Sequence, residues 1–140
     1  MKYLGIDYGS KKVGFAQSDE SGSFAFPLMI AANDDSLTTD TLEIIRAMDI
    51  SFVVIGESLD QNGKPNKIAK EAKKFGDIVK EKSGKDVLYE KEWFTTSEAR
   101  KQPGARNEVD DAAAALILQR YLDKINPKKF SEEEGEDDSD

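Results

Sequence analysis

Lys2 to Asp19, KYLGIDYGSKKVGFAQSD, decides how the rest of the chain is read. Its first half, Lys2 to Gly9, is a mostly apolar run broken by one acid, Asp7, and ended by a glycine, which is the pattern of a strand. Its second half, Lys12 to Asp19, begins another such run almost at once. So short a connection predicts an antiparallel hairpin turning around Gly9, Ser10 and Lys11. A third strand is expected across Ser23 to Ile30, after a turn at Ser21-Gly22, and completes a three-strand antiparallel meander.

Beyond the meander the hydrophobic period changes. Ser36 to Asp49 places Leu37, Leu42, Ile44, Ile45 and Met48 at helical spacing, with Asp34, Asp35 and Ser36 as N-terminal acids and cap. Phe52-Val53-Val54-Ile55 is a continuous apolar run, the signature of a strand buried on both faces. A loop from Asp60 to Pro65 leads into a helix from Asn66 to Lys82, with Ile68, Ala72, Phe75, Ile78 and Val79 on one face. Val87 to Tyr89 is a fifth strand, Thr95-x-x-Glu98 a capping box opening a short helix that Pro103-Gly104 ends, and Asn107 to Ile125 the last helix. A meander followed by alternating helix and strand predicts an α/β domain, a five-stranded mixed sheet of three antiparallel and two parallel strands flanked by helices. Phe15, Phe24, Phe26, Met48 and Phe75 are its expected core, and Trp93 is expected to pack, with stacking on a base as the alternative.

Composition narrows the chemistry. The 140 residues carry 20 Lys and Arg against 28 Asp and Glu, a net charge of -8. Seven of those acids stand in the last ten residues, SEEEGEDDSD, which leaves 21 acids against 20 bases and a net of -1 for residues 1–130. We therefore expect one domain over 1–126 and an acidic, disordered tail over 127–140. With no cysteine there are no disulfides, thiolate nucleophiles or Cys-based zinc sites, and with no histidine there is no Ser-His-Asp triad. No apolar run approaches the roughly 20 residues of a spanning helix. No charged-then-apolar segment of signal-peptide type opens the sequence, so a cytoplasmic setting without membrane partners is expected. Chemistry must run on carboxylates, Lys, Tyr, Ser/Thr, or a metal held by oxygen.

Carboxylates in apolar surroundings are the candidates. Asp7 follows Leu4 and Ile6 in a strand, and burying an unpaired charge there costs several kcal/mol. Glu57 ends the most apolar strand, where ligands of α/β sheets gather. Asp110 and Asp111 precede seven apolar residues, AAAALIL, and Glu92 follows the fifth strand. Such acids repel one another unless cations neutralise them, and oxygen-only ligation suits Mg²⁺ or Mn²⁺. Two such ions can activate water and stabilise the leaving oxygen in phosphodiester hydrolysis without any histidine. The expected metal ligands are Asp7, Glu57, Asp110 and Asp111.

The stretch GIDYGSKKVGFAQSDESGSFAFPL resembles the opening of the YqgF family, also called RuvX, which is associated with pre-16S rRNA cleavage. VDDAAAALILQRYL is similar to that family's closing V-D-x-x-A-A-x-x-I-L-Q helix, and the likeness covers roughly residues 2–125. The resemblance implies an RNase H-like fold, kinship with RuvC-type Holliday junction resolvases, and a metal-dependent nuclease. It places Asp7 at the first-strand carboxylate of the active site and Asp110, with Asp111 beside it, at the closing V-D position. Two departures matter. The family's D-E-R-L-T-T stands here as Lys91-Glu92-Trp93-Phe94-Thr95-Thr96, and its G-L-P-L as Gly56-Glu57-Ser58-Leu59. A glutamate at that strand end is placed like the second catalytic acid of RuvC-like enzymes. Glu57 is accordingly expected to bridge the metals, with Glu92 nearby or auxiliary; if Glu92 holds the role, Glu57 is a loop acid.

Ser10, Lys11 and Lys12 in the first turn, Lys64 and Lys67 after the fourth strand, and Arg100, Lys101 and Arg106 before the last helix are expected to hold substrate phosphates. Through the resemblance, structured pre-rRNA is the first choice of substrate. Branched DNA cut by a dimer is the alternative, and a catalytically silent nucleic-acid-binding module a third; a monomer and a homodimer both stay open.

Overall fold

β1 (Lys2–Tyr8) and β2 (Lys12–Ser18) form the expected hairpin, in a register that sets Leu4 against Gln17 and Tyr8 against Val13. The computed structural model describes residues 1–92 and 111–126 of the chain. β3 (Ala25–Ala32) pairs antiparallel with β2 and starts two residues later than expected. The delay comes from Asp19, whose carboxylate accepts hydrogen bonds from Ser21 Oγ at 2.8 Å, Ser23 N at 2.9 Å and Phe24 N at 3.2 Å. Those bonds hold 21–24 as a turn.

α1 (Leu37–Ala47), β4 (Ile50–Ser58), α2 (Lys67–Ser83), β5 (Asp86–Glu92) and α3 (Asp111–Ile125) follow. The strand order is β3-β2-β1-β4-β5, with β4 parallel to both β1 and β5, so the sheet is the five-stranded mixed one that the sequence predicts. Asn66 caps α2 by accepting from Ala69 N at 2.9 Å, and Gly84, at φ 75°, closes it in the left-handed conformation that suits glycine. Ser36 stands at the N-cap of α1 but makes no side-chain cap bond. Its Oγ instead donates to Asp34 and Asp40 carboxylate oxygens at 2.8 and 3.2 Å.

Strand alternation divides the interior into two layers. Leu4, Ile6, Val13, Phe15, Val53 and Ile55 pack under α1 and α2, against Leu37, Ile45, Ala72, Phe75 and Val79. On the other face Ala16 and Val54 meet Ala114, Ile117, Leu118 and Leu122 of α3. A Cβ on Gly5 would lie 2.7 Å from Leu118 Cβ and 3.1 Å from Ala114 O, so this glycine and the alanines of α3 together let helix and sheet approach closely. α3 runs antiparallel to β1: Ala114 and Leu118 lie over Gly5, Tyr121 meets Tyr3 with rings 6.0 Å apart, and Asn126 Nδ2 donates to Gly22 O at 3.0 Å. The start of α3 therefore lies at the end of β1 that carries Asp7.

Three core expectations are corrected. Phe24 and Phe26 are 52% and 51% exposed, because they belong to or flank the edge strand β3, and Ile78 is 40% exposed while Ala69 and Gly76 take the buried face of α2. The helix expected from Thr95, its end at Pro103-Gly104, the first turn from Asn107, Trp93 and the acidic tail lie outside the described residues. Among the described residues no helix is long and apolar enough to cross a membrane.

Candidate active site

The two-residue period of β1 sends Leu4, Ile6 and Tyr8 toward α1 and α2, and Tyr3, Gly5 and Asp7 toward α3. Asp7 is thus a carboxylate on a closed face, only 2% exposed. Its neighbour in β2 is Gly14. The β1–β4 ladder ends at Ile6 and Ile55, so on the other side the next residue, Gly56, stands beside Asp7. Glycines on both sides leave room around this carboxylate that side chains would fill.

That room is partly taken by Glu92. In β5 the alternation sends Leu88, Glu90 and Glu92 to the α3 face. Glu90 is 4% exposed, and its Oε2 accepts from Lys124 Nζ at 2.8 Å. Glu92 is 6% exposed and leans back from its register partner Ser58 toward Gly56. A Cβ on Gly56 would lie 2.5 Å from Glu92 Oε2 and 2.7 Å from Ile117 Cδ1. The Glu92 carboxylate therefore lies over the glycine backbone of β4, about one strand spacing, or ~4.8 Å, from the strand that carries Asp7. Its main chain is anchored as well, since Leu59 N donates to Glu92 O at 3.2 Å.

Glu57 is not brought to Asp7. It shares the parity of Val53 and Ile55, and so belongs to the α2 face of β4. There it acts on Tyr89, whose phenol is pushed up by burial first and then by the negative charges of Asp77 and Glu57. The expected convergence of Glu57 with Asp7 fails for a geometric reason: the sheet lies between them. Asp111 is the first residue of α3, at the Asp7 end of the sheet. Asp110, Arg100, Lys101 and Arg106 lie outside the described residues.

The remaining expected contacts collect at the same end. Ser10 and Lys11 are exposed in the β1–β2 turn, and Lys12 at the first position of β2. Asn33 braces that turn, its Nδ2 donating to Gly9 O at 2.7 Å and its main-chain N to Lys11 O at 2.9 Å. Lys64 is exposed in the loop before α2, which Asp60 shapes by accepting from Asn62 N and Lys64 N at 2.8 and 3.0 Å. Lys67 opens α2.

Asp7 and Glu92 offer hard oxygen donors on one face of the sheet, the donor type that suits a divalent cation of the Mg²⁺ or Mn²⁺ kind. Among the described residues no three His, Cys, Asp or Glu side chains form a metal-holding group. Sequence reasoning did not single out Gly14 and Gly56. Their signal was present, since each is the residue that the hairpin or the parallel ladder sets beside Asp7.

Comparison with known proteins agrees with this architecture. A family model described as "RuvX: Holliday junction resolvase" matches residues 1–124. A Sulfurihydrogenibium protein named "Putative pre-16S rRNA nuclease" is 32% identical over 133 residues, covering 89% of this chain and 92% of its own length. A protein of the same name from Dehalococcoides mccartyi is 34% identical over 130 residues, covering 87% and 98%. The structure of Thermus thermophilus RuvC in complex with a Holliday junction substrate is similar with a TM-score of 0.58, covering 87% of this chain and 93% of that one. At 16% identity that likeness shows the fold alone, which is RNase H-like. A family match over residues 1–124, with relatives above 30% identity along most of their length, places the sequence: the chain belongs to the RuvX family.

Proposed function

We propose that this nuclease is a metal-dependent endonuclease acting on structured RNA, in the maturation of the 5′ end of pre-16S rRNA, and that Asp7 and Glu92 are its central carboxylates. The observation that carries this reading is the pair itself: two buried acids on one face of the sheet, set around Gly56, whose missing side chain lets the Glu92 carboxylate lie over β4. Asp7 and Glu92, joined by Asp110 or Asp111 from the start of α3, would hold one or two Mg²⁺ or Mn²⁺ ions. When bound, such ions lower the pKa of water and stabilise the leaving oxygen.

The chain's own residues do the rest. Gly56 lets the Glu92 carboxylate close over β4 on the face that carries Asp7. Ser10, Lys11, Lys12, Lys64 and Lys67, with Arg100 and Arg106, bind the flanking backbone. Ile117 and the wall of α3 exclude bulk water from the inner side. Glu57, on the opposite face, is given no part in the chemistry. The names of the relatives favour RNA, and the family description favours a DNA junction as the runner-up. A cytoplasmic setting, as monomer or homodimer, accompanies either.

The test compares cleavage of a structured pre-rRNA fragment and a four-way DNA junction, each with Mg²⁺, with Mn²⁺ and with EDTA. Site-specific cutting of the RNA that EDTA abolishes is the expected result. Faster cutting of the junction would move the substrate to DNA. Cleavage of either that persists in EDTA would remove the metal, and cleavage of neither would leave a silent binding module.

A further inference from the structure

On the other face of the sheet from Asp7, at the Tyr8 end of β1, lies a groove of about 340 Å³. Tyr8 and Phe75 form its aromatic wall, their ring centroids 5.3 Å apart, and Asn33, Thr38, Glu71 and Lys74 stand around it. Tyr8 follows Asp7 in the chain with its side chain on the opposite face, so the groove opens at the same end of β1 as the carboxylates. Neither the carboxylate pair nor the basic turn makes use of it.

The lining chemistry selects among the parts of a nucleotide. Two carboxylates border the groove, those of Asp34 and Glu71. The Asp34 carboxyl is held below the usual range by the hydroxyl and main-chain N–H of Ser36, at 2.8 and 3.0 Å, and so stays ionised. Negative groups at the rim repel a phosphate and leave a neutral, flat, donor-bearing group as the fitting occupant. Aromatic faces supply stacking, which is tolerant of base identity, while carboxylates accept from exocyclic amines. Lys74, at the rim, is exposed and able to meet the phosphate on the outer side of such a base.

We propose that the groove between α1 and α2 receives one unstacked nucleobase of the RNA substrate, close in sequence to the scissile phosphate, with Tyr8 as its stacking platform and Glu71 accepting from its amine. Guanine, cytosine and adenine carry that amine and uracil does not, so the groove disfavours uracil. This rests on the nuclease reading above. It also explains why an RNase H-like sheet would cut structured RNA at a defined place: single-stranded or extruded bases are where proteins read RNA sequence.

The experiment uses the full chain carrying Asp7→Asn, which binds without cutting, and RNA with 2-aminopurine moved position by position through the region flanking the cleavage point. One position is expected to be quenched on binding, and an abasic nucleotide there to weaken binding about 5- to 150-fold, the range for one stacked base. Tyr8→Leu, which keeps an apolar side chain against Phe75, removes both effects, whereas Tyr8→Phe retains them. Glu71→Gln raises the relative affinity for uracil at that position and leaves the quenching in place. No quenched position, or quenching unchanged in Tyr8→Leu, overturns the proposal. If Tyr8→Leu fails to fold by circular dichroism, the Glu71→Gln base preference decides, and an unaltered preference overturns it. Cleavage by the unmutated chain, measured in parallel, reports on the nuclease reading separately.

Discussion

Gly56 shows how one absent side chain shapes the site. Glu92 Oε2 and Ile117 Cδ1 occupy the space a Cβ would need, so Gly56→Ala must displace a carboxylate or a core methyl. We expect cleavage to fall by on the order of 10²-fold while the fold loses about 1–3 kcal/mol, read by single-turnover rate and thermal melting side by side. A variant that melts lower but cuts at the original rate would separate the glycine from function. Asp7 was legible in the sequence because an acid inside an apolar strand needs a reason. The choice between Glu57 and Glu92 was not. FVVI is apolar on both faces, so its pattern does not say which parity faces α3, and the acid at its end inherits that ambiguity. The clue lay in β5, where Leu88, Glu90 and Glu92 alternate with Val87, Tyr89 and Lys91 and put two buried acids on the α3 side.

At the scale of elements, α3 is the piece on which the site leans. Leu118 is fully buried against Gly5, and Leu118→Ala is expected to cost about 2–5 kcal/mol, measured by urea denaturation. The hairpin and the helices were readable from their hydrophobic periods, and β4 from its unbroken apolar run. The start of β3 was not readable, because a single carboxylate, Asp19, decides it through side-chain bonds that periodicity cannot encode. Burial tends to raise the Asp19 pKa, but the bonds from Ser23, Ser21 and Phe24 outweigh it and hold the group below its ordinary value of 3.8. A depressed pKa in the folded state means stability that is present above the unfolded value and lost as pH falls through the folded one. Asp19→Asn is therefore expected to be less stable than the parent near neutrality, by about 1 kcal/mol at most in so exposed a turn, with the gap closing as pH drops below about 4. Melting temperatures across that range check it, and a gap that widens on acidification would contradict it.

For the whole molecule, the charge divides unevenly: residues 1–130 are near neutral at -1, and 131–140 supply the other seven negative charges. Such a tail opposes a polyanion, so deleting 131–140 is expected to tighten RNA binding several-fold at low salt, to matter little at high salt, and to leave the melting temperature unchanged. Equal affinity at low salt would show that the tail does not screen the site. The strand order and the parallel β1–β4 ladder put the β1–β2 turn and the loop after β4 at the end of the sheet that carries Asp7, while Glu57 lies on the opposite face. The central claim, that Asp7 and Glu92 perform the chemistry and Glu57 does not, is met most directly by single-turnover cleavage of a structured pre-rRNA fragment in Mg²⁺ by Asp7→Asn, Glu92→Gln and Glu57→Gln. The account predicts losses of roughly 10²-fold or more for the first two and a change within about threefold for the third. Full activity in Glu92→Gln together with a collapse in Glu57→Gln would contradict it.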